Sequence, residues 1–374
     1  MRVAHLTLRD FRSYGTAEAR LGPGLTLITG PNAAGKTNLL EALYFGCTGR
    51  SCRTSSDREV VRFGADTARV EVTAEDDAGT HVLSVGLEPG GAKRMRVDGV
   101  AVERLVEVEG RPLVAVFLPD RLELVKGAPA LRRAHLDQVV AALWPSRGET
   151  RRAYGRALAQ RNALLARVRA GASRASLSAW DAELARLGVA LMDDRRAALE
   201  VLAGRFGELA DQLGLGQATL AYRPRSRACS ADELAAELDE RLNADLERGF
   251  TGHGPHRDEL VLAQDGRELR VYGSQGQQRL ALLALLLAER EAVGEQRGAP
   301  PVMLLDDVMS ELDAVRRERL VVLLRAGGQS VVTATDVAHV PGGEGPDVTR
   351  LAIAPAGSAP GAPGATVLQE ARAA

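Results

Sequence analysis

The stretch 30–37, G-P-N-A-A-G-K-T, constrains this chain more than any other. It fits G-x-x-x-x-G-K-[ST], and its setting fits as well. Residues 25–29 (LTLIT) are a short apolar run of β-formers, and 38–44 (NLLEALY) have helical spacing with no breaker. Strand, glycine loop and helix in that order make the pattern a phosphate site. Gly30 and Gly35 admit backbone conformations that side chains resist, so successive N–H groups can turn into one hollow. Gly30, Pro31, Asn32, Ala33, Ala34 and Gly35 therefore form the cradle. The first turn of the following helix adds unpaired N–H groups and partial positive charge. Lys36 would reach the β/γ-phosphates and the Thr37 hydroxyl would bind Mg²⁺.

The use of lysine supports this reading. Of 48 basic residues only Lys36, Lys93 and Lys126 are lysines, so the chain writes Arg almost wherever a cation suffices yet keeps Lys in the loop. There a compact ammonium fits and a planar fork does not. The net charge of −1 gives no global argument for nucleic acid, so any basic surface must be local. No apolar run approaches the roughly 20 residues a bilayer needs, and no leader pattern opens the chain. The expectation is a soluble, cytoplasmic protein with no membrane partner. Cys47, Cys52 and Cys229 are odd in number and not at zinc spacing, which reads as reduced, buried thiols.

The 374 residues are enough for two domains, or for one with a large insertion. Residues 2–8 read as a strand, strand patterns at 68–74, 81–87 and 94–97 suggest an antiparallel meander beside a nucleotide core, and 112–119 (PLVAVFLP) reads as a fully buried strand. A helix is expected over 130–143. From 147 the character changes. Trp180, Leu184, Leu187 and Leu191, then Leu199, Leu202, Phe206, Leu209 and Leu213, step by three and four. With the helical run before residue 170 they predict an antiparallel helical hairpin, a short arm. Gly188, Gly204 and Gly207 predict a break or cap near its end. Residues 147–174 hold eight Arg against one acid, whereas 177–214 hold seven acids against four Arg. Either the two faces neutralise each other, or the basic helix, with Arg151 and Arg152, meets a phosphate backbone. Afterwards an α/β pattern returns: a strand at 219–222, helices at 231–248 and 275–291, strands at 302–305 and 330–333, and a helix at 311–324. The expected division is 1–146, the first half of the head with the phosphate loop; 147–214, the arm; 215–354, the second half of the head; and 355–374, a loose Gly/Pro-rich tail.

A phosphate loop needs an acidic strand end to hold Mg²⁺ through its water shell, and M-L-L-D-D at 303–307 supplies Asp306, with Asp307 next. S-Q-G-Q-Q at 274–278 places Ser274, Gly276 and Gln277 at the start of a long apolar helix, a second anion site by its free N–H groups and hydroxyl. His253 and His256 lie in a Gly/Pro loop with no third ligand. They read as support for the neighbouring hairpin, or as a contact to DNA or a partner, rather than as a metal site.

The loop, S-Q-G-Q-Q, the Asp pair and S-E-L-D at 310–313, in that order, resemble the Walker A, signature, Walker B and D-loop elements of ABC-type ATPases. The chain is similar to the RecF family of bacterial DNA replication and repair proteins. The resemblance runs through L-R-D-F-R-S-Y (8–14), 30–43, G-R-S-C-R (49–53), F-L-P-D-R-L-E-L-V-K-G (117–127), Q-R-N-A-L-L (160–165), G-P-H-R-D (254–258), S-Q-G-Q-Q-R (274–279), L-L-D-D-V-M-S-E-L-D (304–313) and T-A-T (333–335). It implies an α/β ABC-type ATPase head split by a lid and short helical arm. It also implies a homodimer with ATP sandwiched between subunits, DNA binding at gaps and single-strand–duplex junctions, and slow ATP hydrolysis. RecR and RecO are the implied partners, in replication, gap repair and the SOS response. Lys36, Thr37 and Asp306 would serve ATP and Mg²⁺. Ser274, Gly276 and Gln277 would meet the partner's γ-phosphate, and Asp307 would replace the usual catalytic Glu. Arg50, Arg53, Arg151 and Arg152 are the candidate DNA contacts; Arg12 and Tyr14 could touch adenine. The chain departs from the wider ABC pattern in three places. Asp307 is one methylene shorter than Glu, Thr333 and Thr335 stand where the switch His usually is, and Leu118-Pro119-Asp120 replaces the Q-loop Gln. All three point to slow turnover. Transporter ATPase subunits, Rad50/SMC-like repair heads and phosphate-loop kinases are the competing readings. The missing His and Gln argue against the first, the short arm against the second, and 274–278 against the third.

Overall fold

A computed structural model describes residues 1–88, 90, 92–108, 110–175, 177–354 and 365–369. The chain forms two compact units, Met1–Arg121 with Val293–Ala374, and Leu122–Ala292.

The first unit opens with a hairpin of β1 (Arg2–Phe11) and β2 (Tyr14–Arg20), followed by β3 (Leu25–Thr29), whose five residues are all buried. After the glycine loop comes α1 (Lys36–Thr48). The expected meander follows as β4 (Ala68–Asp76), β5 (Gly79–Leu87) and β6 (Lys93–Val97), with β7 (Val100–Val102) added. These join the first hairpin in an antiparallel sheet of order β2-β1-β4-β5-β6-β7. The sequence reading missed β2 because its buried positions are a tyrosine, a glycine and two alanines, too small for a clear apolar alternation. The inner face of α1 lies close on this sheet: a Cβ on Gly46 would come within 2.4 Å of Val72 Cγ2. Next is β8 (Val114–Phe117), read from sequence as fully buried. It is the edge of the second sheet, and its first two residues are only half-buried.

The second unit begins with the one-turn α2 (Glu123–Lys126) and α3 (Pro129–Leu143), then α4 (Gly148–Arg169) and α5 (Leu177–Gln212). Arg147 pairs with Asp194 at 3.4 Å and Arg161 with Asp181 at 2.6 Å, while Tyr154 packs beside Gly188. One number rises as the other falls, so α4 and α5 are antiparallel. The predicted break is absent; α5 runs unbroken for 36 residues. Of its glycines, Gly188 serves packing, whereas Gly204 faces open space. A Cβ at Gly188 would come within 2.8 Å of Leu234, and one at Gly207 within 3.4 Å of the Ala218 carbonyl. Helix α5 ends instead at Gly214 (φ 81), where a left-handed residue closes the last turn.

Nor is the helical pair an arm set apart from its flanks. The chain continues through β9 (Ala218–Arg223), α6 (Ala231–Glu240), α7 (Leu242–Arg248), β10 (Glu259–Gln264), β11 (Arg267–Glu268), α8 (Leu269–Tyr272) and α9 (Gln275–Arg297). Tyr154, Leu184, Leu187, Leu191, Leu234 and Leu238 share one core, so the unit takes in 122–146 and 215–292 as well as the expected 147–214. Five arginines of the basic helix hold carboxylates: Arg152 and Arg156 share Glu149 of the same helix, while Arg147, Arg151 and Arg161 pair with Asp194, Asp137 and Asp181 of its neighbours.

Within this unit G-P-H-R-D is structural. Asp258 is fully buried and accepts from Tyr222 Oη, from Arg225 N at 2.7 Å and from Arg195 Nη1 at 3.2 Å. Arg195 also bonds Asp137 through two nitrogens, at 2.8 and 3.1 Å. His253 bonds Glu237. His256 donates from Nε2 to the Thr251 carbonyl at 2.9 Å, and its Nδ1 lies 2.8 Å from Tyr154 Oη, which can donate to the neutral ring. Burial, then nearby Arg257 and Arg133, push its pKa down to about 4, against the opposing pull of the Thr251 carbonyl and Asp245. Above pH 6.5 folded and unfolded states both hold a neutral ring. Between 6.5 and about 4 only the unfolded state takes up the proton, so stability falls as pH falls. We expect His256→Gln to reduce that acid-side loss by about 2 kcal/mol, read from urea midpoints at pH 7 and pH 4.5.

Back in the first unit, β12 (Val302–Leu305), α10 (Ala314–Ala326), β13 (Ser330–Ala334), β14 (Thr349–Ala354) and β15 (Thr366–Gln369) complete the second sheet, of order β15-β14-β3-β13-β12-β8. It is parallel apart from the β14–β15 pair. The loose tail expected from 355 is corrected at 366–369, which pair with β14; 355–364 and 370–374 lie outside the described residues.

Candidate nucleotide-binding site

The second sheet sets the site geometry. In a parallel sheet, ligands collect outside the carboxyl ends of the strands. Strand β3 ends there in the glycine loop and β12 in Asp306, with β13 lying between them. Gly30 (φ 150) and Gly35 (φ 113) take left-handed backbone that favours glycine. Both are also sterically confined. A Cβ on Gly30 would lie 2.6 Å from the Ile353 carbonyl, and one on Gly35 would lie 2.9 Å from Ser13 Oγ. The Tyr14 hydroxyl donates to the Gly35 carbonyl at 3.0 Å, and Asn38 Nδ2 donates to Ser13 Oγ at 2.9 Å. Tyr14 is therefore a buried support of the loop, and its hydroxyl is committed there.

Lys36 Nζ folds over the loop, donating to the Gly30 carbonyl at 2.7 Å and the Pro31 carbonyl at 3.0 Å. Burial lowers its pKa, while Asp307 and then Asp306 act to raise it, so the ammonium feels both carboxylates. Thr37 Oγ1 donates to Asp306 Oδ2 at 2.7 Å. The phosphate-loop hydroxyl and the strand-end carboxylate, 269 positions apart in sequence, thus meet directly. Hydroxyl and carboxylate oxygens suit Mg²⁺, which takes one or two protein ligands and completes its shell with water and phosphate. Among the described residues no group of three or more His, Cys, Asp or Glu could hold a metal by itself.

Sequence reasoning missed the carboxylate on the outer face of α1. Glu41 is fully buried and holds Arg12 by two bonds of 2.9 and 2.7 Å, Ser51 Oγ at 2.5 Å and Arg53 Nη1 at 3.2 Å. The guanidinium of Arg12 is thereby committed to Glu41 and to the Glu59 carbonyl. Arg53 also donates to Asn38 Oδ1 at 3.0 Å, whereas Arg50 is exposed. A lone Glu at helical spacing in an apolar run was the available signal. The remaining DNA candidates, Arg151 and Arg152, belong to the second unit and hold Asp137 and Glu149.

Ser274, Gly276 and Gln277 also belong to the second unit. Ser274 and Gln277 cap α9 reciprocally: Ser274 N donates to Gln277 Oε1 at 2.7 Å and Gln277 N to Ser274 Oγ at 3.3 Å. Ser274 and Gly276 are exposed. In the first unit, Asp313 caps α10 by accepting from Arg316 N, and Ser310 Oγ donates to the Asp307 carbonyl.

A parallel sheet with a glycine loop on one strand, an Asp pair on another and a flanking antiparallel sheet defines an ABC-type ATPase head. The family described as RecF/RecN/SMC N terminal domain matches residues 2–344. The DNA replication and repair protein RecF of Streptomyces avermitilis is 39% identical over 91% of this chain and 95% of its own length. That of Anaeromyxobacter sp. is 40% identical over 93% and 96%. The solved structure of the recombination mediator protein RecF-ATPrS in RecFOR pathway superposes with a TM-score of 0.85 at 29% identity, covering 99% of this chain and 98% of that one. An Smc head bound to the C-winged helix domain of ScpA shares the fold, with a TM-score of 0.61 at 15% identity. The chain belongs to the RecF family of DNA replication and repair proteins.

Proposed function

We propose that this chain is an ATP-gated, DNA-binding recombination mediator of the cytoplasm. It binds ATP with Mg²⁺ through residues 30–37 and Asp306, dimerises with the nucleotide between subunits, and engages single- and double-stranded DNA at gaps and junctions. Slow hydrolysis releases it, and RecR and RecO are its partners in loading recombinase. The observation that carries the nucleotide part is the 2.7 Å bond between Thr37 and Asp306, set beside the RecF-ATPrS and RecF-ATP structures. No helix among the described residues is long and apolar enough to cross a membrane.

On this reading Lys36 exchanges its two loop carbonyls for β/γ-phosphate oxygens, and the N–H groups of the first turn of α1 face the same phosphates. The metal, when bound, neutralises developing phosphate charge. Asp307 positions the attacking water, and its side chain, one methylene shorter than Glu, reaches and polarises that water less well, so turnover is slow. Ser274 serves the γ-phosphate in the partner subunit.

The test is fluorescence anisotropy of a labelled gapped duplex with no nucleotide, with ADP and with ATP–Mg²⁺. Tight binding only with ATP supports the gated reading. Equal binding in all three removes the gate, and no binding at low salt overturns the DNA role. Ser274→Ala is expected to leave ATP affinity unchanged while weakening the ATP dimer, checked by sedimentation. Ser274→Asp keeps a capping acceptor for α9 and should still lose the dimer, which separates capping from the trans contact.

A further inference from the structure

We propose that Thr333 is the fixed positioning residue of the Asp306–Asp307 pair, holding both in register for a metal-bound nucleotide; the inference rests on the nucleotide reading above. Strand β13 lies between the strand that carries the glycine loop and the strand that carries the carboxylates. Leu305 is paired with Val332, so the next residue, Thr333, stands level with Asp306, and on its other side Thr333 is paired with Ile28 of β3. Thr333 is fully buried. Its hydroxyl donates to Asp306 Oδ1 at 2.7 Å and accepts from Asp307 N–H at 2.9 Å. A hydroxyl has one proton, so once that proton is given to Asp306 the oxygen faces Asp307 as an acceptor.

The second bond has a conformational role. Asp307 takes left-handed backbone (φ 47, ψ 29), which side chains rarely adopt without local support. The Thr333 oxygen supplies that support. It anchors the Asp307 N–H and so fixes the turn that directs the chain from β12 into the following 3-10 segment.

The two oxygens of Asp306 therefore differ in kind. Oδ2 accepts from Thr37, whose own oxygen is the expected metal ligand. Coordination would use a lone pair of the Thr37 oxygen, so its proton can stay on Oδ2, which is thereby tied to the metal ligand. Oδ1 accepts from Thr333 on a central strand, and nothing about metal binding requires that bond to change. Thr333 and Thr335 stand where the resemblance puts the switch His of the wider ABC pattern, and Thr333 works through the carboxylate pair, by its bonds to Asp306 Oδ1 and Asp307 N.

The test uses the full chain and a fluorescent ATP analogue, titrated in EDTA and in Mg²⁺, with thermal midpoints as a check of folding. Wild type should bind more tightly in Mg²⁺. Thr333→Val, which keeps the shape and removes the hydroxyl, should bind within about twofold of wild type in EDTA while losing about tenfold of the Mg²⁺ enhancement. Thr333→Ser should retain that enhancement. Thr333→Ala gives the same readout if the valine variant does not fold. An unchanged enhancement in Thr333→Val overturns the inference and leaves the nucleotide reading intact. So does a loss in Thr333→Ser equal to that in Thr333→Val, because the methyl group would then be the active part. Wild type that binds in neither condition overturns the nucleotide reading itself.

Discussion

Lys36→Ala should abolish ATP binding at working concentrations, and dimerisation and ATP-dependent DNA binding should disappear with it. The side chain is nearly buried, and its ammonium is held over the loop by the Gly30 and Pro31 carbonyls. Replacing carbonyls with phosphate oxygens makes charge-assisted bonds worth roughly 1.5–3 kcal/mol each. Losing two of them weakens binding by about 10²–10⁴-fold. Calorimetric titration with ATP–Mg²⁺ measures this directly. Lys36→Arg should not rescue, since a planar fork cannot replace a compact ammonium inside this loop. Near-wild-type affinity in Lys36→Ala would show that the loop does not hold the phosphates.

Arg195→Met should destabilise the second unit by about 3–5 kcal/mol, the range for removing one partner of a buried ion pair. Arg195 is buried between two buried carboxylates, Asp137 on α3 and Asp258, and it also donates to the Pro255 carbonyl at 2.8 Å. Its loss leaves the buried Asp258 without a cation and Asp137 with Arg151 alone. Adding Asp258→Asn should recover part of the loss, because the unpaired charge is then gone. Urea unfolding of the single and double variants provides the comparison. A single variant within about 1 kcal/mol of wild type would mean that water reaches and solvates the cluster.

These two sites differ in how far they could be read from sequence. The phosphate loop announces itself because its chemistry is local: two glycines, a lysine and a threonine must be adjacent for the backbone to cradle an anion. Asp306 was readable through its strand, four apolar residues ending in acid. The roles of Thr333, Ser13 and Glu41 were not, because each depends on which distant strand or turn lies beside it. Likewise G-P-H-R-D stood out as a motif, yet its purpose emerges only when Arg195 arrives from α5 and Tyr222 from β9. The helices of the second unit were legible from period alone. Their glycines suggested a break because propensity was weighed without the neighbours, whereas at Gly188 Leu234 occupies the space a Cβ would need. The strand at 366–369 was hidden by the Gly/Pro-rich stretch before it.

The strand that leads into the phosphate loop has both of its sheet neighbours far along the chain, in β13 and β14. On the ribosome, synthesis proceeds from the N-terminus, so the loop emerges early and its walls emerge late. A nascent chain that has not reached residue 330 carries the whole glycine motif and no sheet to hold it. The carbonyl that confines Gly30, at Ile353, comes later still, and the Ala365 amide that donates to the Ser13 carbonyl comes last of all. In this order of synthesis the loop gains its walls only after residues 330–353 have been made. Products of translation interrupted before residue 330 would bear the motif without the strands that hold it.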